Sequence, residues 1–101
     1  MTKTGFPVPR KKISEFCRRW KVVEFSLFGS VLREDFRPDS DVDVLVTFAP
    51  DAQVSLFDMV KMQTELKALF KREVDLVEKA SLQNPYRRRE ILQTAQRVYA
   101  A

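Results

Sequence analysis

The chain has 101 residues, 45% of them hydrophobic, and 18 Lys and Arg against 14 Asp and Glu give a net charge of +4. That length suits one small domain with a thin margin of stability. The lack of histidine excludes imidazole acid/base or metal chemistry, and the single cysteine, Cys17, excludes a disulfide framework and the usual zinc site. No apolar run approaches a membrane span, and the N-terminus carries no apolar signal segment, so a soluble cytoplasmic protein without membrane contact is expected.

Met1 to Pro9 reads as a loose arm, with Pro7 and Pro9 opposing regular structure. Arg10 to Trp20 has Ile13, Phe16, Cys17 and Trp20 at helical spacing, so it reads as a helix with one apolar face. Cys17 lies on that face and is expected to be a small core residue rather than a nucleophile. Arg10, Lys11, Lys12, Arg18, Arg19 and Lys21 cover the rest. A solvated surface is the simpler account of them, with contact to nucleic acid or an acidic partner as the alternative; no aromatic-interleaved basic ribbon supports specific RNA stacking.

Val22 to Phe28 is apolar, β-branched and aromatic, and stops at Gly29, as a buried strand would. Gly29 allows a tight turn and a close ligand. Ser30 can cap a short helix over Val31-Leu32-Arg33-Glu34, whose free N–H groups and positive end would hold a phosphate. Arg33 can add charge there. Asp41-Val42-Asp43-Val44-Leu45-Val46 then reads as a strand with both carboxylates on one face, roughly 6.5 Å apart, and Val42, Val44, Val46 and Phe48 turned into a core. Such a pair beside a phosphate turn suits divalent cations, since two-metal sites hold ions about 3.5–4 Å apart and Mg²⁺ takes one or two carboxylates plus phosphates. Each half alone is common: Gly-Ser is an ordinary turn, and Asp-Ser-Asp after Pro38 suits a solvated loop. Their conjunction at strand ends carries the argument.

After a loop at Ala49 to Gln53, Ser55-Leu56-Phe57-Asp58 resembles a capping box and opens a helix to about Phe70. Leu56, Met59, Val60, Gln63, Leu66, Leu69 and Phe70 follow the helical period. Lys71-Arg72 is a polar turn. Glu73 to Glu78 alternates as a strand, Val74 and Leu76 facing one way, Glu73, Asp75 and Val77 the other. If it pairs with the Asp41–Phe48 strand, Asp75 becomes a third carboxylate of the cluster. Asn84-Pro85 opens a final helix ending near Gln96, with Tyr86, Ile91, Leu92 and Ala95 expected inward and Arg87-Arg88-Arg89 solvated. Arg97-Val98-Tyr99 can add an edge strand. The architecture is thus a small α/β (α+β) domain: a mixed sheet of three or four strands, helices mainly on one face.

Gly29-Ser30, ten residues, then Asp41-x-Asp43 resembles the motif of nucleotidyltransferases related to DNA polymerase beta. With Ser55-Leu56-Phe57-Asp58, Val74-Asp75-Leu76-Val77 and the Asn84-Pro85…Val98-Tyr99 ending, the chain is similar to the minimal nucleotidyltransferases (MNT), antitoxins of HEPN-domain toxins, from about Ile13 to Tyr99. It departs from them in lacking a glycine near Lys71-Arg72. The resemblance implies a palm-like fold and transfer of a nucleoside monophosphate from ATP. Gly29 and Ser30 would hold the β- and γ-phosphates, and Asp41, Asp43 and Asp75 two Mg²⁺ (or Mn²⁺) ions, with Asp75 on the third strand. It also implies a partner, since no added helical domain is present to bind an acceptor: a HEPN RNase toxin, in a hetero-oligomer, adenylylated on a tyrosine. Two other readings stay open, a catalytically silent antitoxin that occludes its toxin and a basic nucleic-acid-binding module.

Overall fold

The computed structural model describes residues 8–29 and 41–101. Helix α1, Arg10–Trp20, buries Ile13, Phe16 and Cys17, the i, i+3, i+4 set that the sequence placed on one face. The expected arm is shorter at its C-terminal end: Val8 packs against the core, and its carbonyl accepts from the Arg10 N–H at 2.9 Å. Of the basic face, Arg10 donates to the Val98 carbonyl at 3.2 Å and Arg19 pairs with Glu65, so part of it serves the fold. Trp20 Nε1 also donates to Glu65, at 2.9 Å.

Strands β1 (Val22–Phe28), β2 (Val42–Phe48), β3 (Val74–Glu78) and β4 (Gln96–Ala100) form one sheet in the order β3-β2-β1-β4. β1 is antiparallel to β2 and to β4; β2 and β3 are parallel. The parallel pair requires a crossover, which helix α2, Leu56–Phe70, supplies. α1 and α2 share one sheet face. Phe25, Leu27, Val42, Val44 and Val46 meet Ile13, Phe16, Met62, Leu66 and Phe70 there. The Phe16 and Phe25 rings pack edge to face, centroids 6.1 Å apart at 84°.

Helix α3, Pro85–Thr94, behaves differently. Its Ile91 joins Phe28 and Leu45 in a second, smaller cluster on the opposite face. Tyr86 and Leu92, expected inward, are 84% and 38% exposed, because one turn of apolar contact through Ile91 anchors the helix. The α2 stripe is also rotated. Met62, Leu66 and Phe70 are its buried line, and Leu56, Phe57 and Val60 point outward.

The capping box at Ser55 is present with Asp58 in the usual Glu position: Asp58 N–H donates to Ser55 Oγ at 3.1 Å, and Ser55 N–H to Asp58 Oδ2 at 3.0 Å. Asn84 caps α3, its Oδ1 accepting from the N–H groups of Tyr86 and Arg87. α2 ends on Lys71 in the left-handed region (φ 59°), where glycine would be favoured. No helix among the described residues is long and apolar enough to cross a membrane.

Candidate active site

β2 and β3 each begin with Val-Asp. Val42 and Val74 are buried in the helix-covered core, so strand alternation turns Asp43 and Asp75 to the other face. The parallel register sets Val42 opposite Val74 and Asp43 opposite Asp75. Sequence-distant carboxylates thus become lateral neighbours, about 4.8 Å apart at the backbone. Asp41 immediately precedes β2, and pairing with β3 begins one residue later, where the Val42 N–H donates to the Glu73 carbonyl at 2.9 Å. Asp43 is half-buried; Asp41 and Asp75 are exposed.

On the other flank of Asp43, the register sets Phe28 opposite it, and Gly29 follows at the strand end. Gly29 has φ +74°. A Cβ built there would overlap the Asp43 Oδ2 and lie 3.1 Å from its Cγ. The glycine is therefore required twice, for its backbone conformation and for the room it leaves the carboxylate. Ser30 and Arg33 fall outside the described residues.

Among the described residues no three acidic, histidine or cysteine side chains converge as a ready-made metal cage. Adjacent carboxylates repel until a cation joins them, so the backbone placement is the relevant feature. The donors on offer are carboxylate oxygens, which select hard ions such as Mg²⁺. Cys17 takes no part: burial pushes its thiol up to about 12, as befits an inert core residue.

The same face carries polar groups that sequence reasoning did not assemble. Glu24 and Ser26 alternate with Phe28 on β1, paired with Thr47, Leu45 and Asp43 respectively. Lys79 and Arg97 reach Glu24 at 3.8 and 3.4 Å. The signal was Glu24 and Ser26 at period two within an otherwise apolar run. A separate recess beside Trp20, Lys21 and Asp51 lies at the opposite end of the sheet, away from the carboxylates.

Residues 9–98 match the nucleotidyltransferase domain family. The chain belongs to that family. Within it the chain is a minimal nucleotidyltransferase, with nucleotidyltransferase activity. It is 40% identical over 70 residues to the protein adenylyltransferase MntA of Thermococcus cleftensis, covering 69% of each chain. A chain in a crystal structure of a toxin–antitoxin pair with AMP-PNP superposes with a TM-score of 0.75 at 20% identity, over 93% of this chain and 75% of that one. The complex of the tri-AMPylated Shewanella oneidensis HEPN toxin with an MNT antitoxin contains a similar chain, with a TM-score of 0.65 at 19% identity, over 91% and 70%. These two likenesses establish the palm-like fold. Nucleotidyltransferases of this family generally use ATP and a divalent metal.

Proposed function

We propose that this protein is an antitoxin that transfers AMP from MgATP to a hydroxyl, that of a tyrosine, on a partner HEPN RNase toxin with which it forms a hetero-oligomer, and so silences it. The observation that carries the reading is the row Gly29, Asp43, Asp75 across three neighbouring chain segments. The MntA relative and the AMPylated toxin complex support the acceptor class.

The residues fit a hard divalent cation: two carboxylates in register on adjacent strands, a third just before them, and a Gly29 without a Cβ, whose place the Asp43 carboxylate takes. Asp41, Asp43 and Asp75 would hold the ions, two Mg²⁺, whose charge would neutralise the triphosphate and the departing pyrophosphate. Gly29 and Ser30 hold the β- and γ-phosphates on backbone N–H groups, and Arg33 adds positive charge. Asp75 takes the proton of the acceptor hydroxyl as its oxygen bonds to the α-phosphorus. The bond to pyrophosphate breaks opposite. Positioning and charge account for most of the rate.

Co-incubating the protein, MgATP and its HEPN partner, followed by intact-mass measurement of the partner, tests this. Mass added in AMP steps is expected; an unchanged mass with the complex formed contradicts it. One observation favours occlusion as a second reading. Leu56 and Phe57 are 85% and 80% exposed at the start of α2, an apolar patch suited to a protein surface. Under occlusion alone, an Asp43→Asn variant protects as well as the wild type.

A further inference from the structure

Helix α2 packs on the strands through Met62, Leu66 and Phe70. On its outer side Phe57 and Val60 lie about one turn apart, and Val60 is 64% exposed. Leu56 adjoins them at the start of the helix and is also exposed. Three large apolar side chains held together in water forgo the free energy of burial, and contiguous patches of this kind mark contact surfaces. The patch stands on a fixed element, because the Ser55–Asp58 capping box anchors this end of α2.

The charge on this face says what covers it. The two acids of α2 are used inside the fold: Asp58 accepts from the Ser55 N–H, and Glu65 accepts from Arg19 and Trp20. The exposed line that continues from Phe57 holds Lys61, Thr64, Ala68 and Lys71, at steps of four, three, four and three residues. That is the spacing of a helix–helix seam. It carries two cations, no anion, and two small side chains that let another helix approach closely. A second copy of this chain fits poorly. Pairing α2 with α2 would set Lys61 and Lys71 of both protomers on one seam, between chains that each carry a net charge of +4.

We propose that the outer face of α2 is a docking surface for a helix of the partner protein, one with an apolar stripe and acidic flanks. For the identity of that partner this rests on the hetero-oligomer reading above. The apolar stripe covers Leu56, Phe57 and Val60, and the acids meet Lys61 and Lys71. α1 and α2 cover one face of the sheet, whereas strand alternation turns Asp43 and Asp75 to the other. The docking surface and the carboxylates are therefore separate, and either can be altered without entering the other.

Calorimetric titration of the purified HEPN partner into the full chain tests the surface, with the wild type compared to Phe57→Glu and to Lys61→Glu/Lys71→Glu. Phe57 lies in the first turn of α2, where an acid suits the helix dipole, so Phe57→Glu is expected to fold as the wild type does. It is expected to weaken partner binding at least about tenfold and to leave the Kd for MgATP unchanged. The double charge reversal is expected to weaken partner binding as well and to flatten its dependence on salt.

Failure of the wild type to bind the partner overturns the hetero-oligomer reading and the docking assignment with it. Binding by the wild type with an unchanged Kd in Phe57→Glu overturns the docking assignment alone, as does an equal loss of affinity for partner and MgATP. Undiminished binding by the double charge reversal overturns the acidic character of the docked helix. Alone in solution the chain is expected to sediment as a monomer. A dimer that Phe57→Glu disperses would overturn the partner helix in favour of a second copy of the chain.

Discussion

Gly29 and Asp43 share one point of the molecule: the space a Gly29 Cβ would take is filled by the Asp43 carboxylate. Fourteen positions apart in sequence by their numbering, they are joined by the β1–β2 register that sets Phe28 opposite Asp43. The turn at Gly29 and the strand that carries Asp43 therefore meet at one point, and a change at either should be felt at the other.

Gly29→Ala should fold and lose transfer. The added methyl pushes the carboxylate aside, and φ +74° disfavours any side chain. A displacement of ~1 Å at a reacting centre costs on the order of 10²-fold. We expect a loss of about that size in single-turnover transfer, with a circular dichroism spectrum near that of the wild type and a melting transition lowered by roughly 5–10 °C.

Lys71→Gly should stabilise the protein. Lys71 closes α2 in the left-handed region, its N–H donating to the Lys67 carbonyl at 2.7 Å. That conformation costs an L-residue roughly 1–2 kcal/mol that glycine avoids, partly offset by glycine's larger entropy loss. A gain of about 1 kcal/mol in urea unfolding is the expected result, and a loss would mean that the turn differs in solution.

The capping box predicts a pH dependence. The hydrogen bond from the Ser55 N–H holds the Asp58 carboxyl below its usual value. A lowered folded value means that the stabilisation is fully present above the unfolded value, about pH 3.9, and is lost as pH falls through the folded one. The stability gap between wild type and Asp58→Asn should be constant near neutral pH and close on acidification below about pH 4. A gap that widens there would contradict the cap. Ser55→Ala should cost about 1 kcal/mol near neutral pH.

The sheet and α1 were legible in the sequence because their patterns are simple. Ile13, Phe16 and Cys17 repeat at helical spacing, and the valines of β2 alternate with its aspartates. Helix bounds at Arg10–Trp20 and Leu56–Phe70 follow from the same signals. Less legible were the faces of α2 and α3. Leu56, Val60 and Leu92 fit a helical stripe as well as Met62 and Ile91 do, and only the positions of the strands decide which line is buried. At the site, Asp41-x-Asp43 and Gly29 were visible as a motif. The Asp43–Asp75 register and the grouping of Glu24 with Lys79 and Arg97 required the sheet order, which no local pattern encodes.

Transfer of label from ATP marked at the α-phosphate tests the central claim most directly. The protein, Mg²⁺ and the HEPN partner would be compared with the Asp41→Asn/Asp43→Asn variant in the same mixture. Loss of the carboxylates removes several kcal/mol of charge stabilisation, so transfer should fall by roughly 10³-fold or more. The account predicts a labelled partner band with the wild type and none with the variant while the complex still forms. Equal labelling by the two proteins, or an unlabelled partner with the wild type, would contradict it.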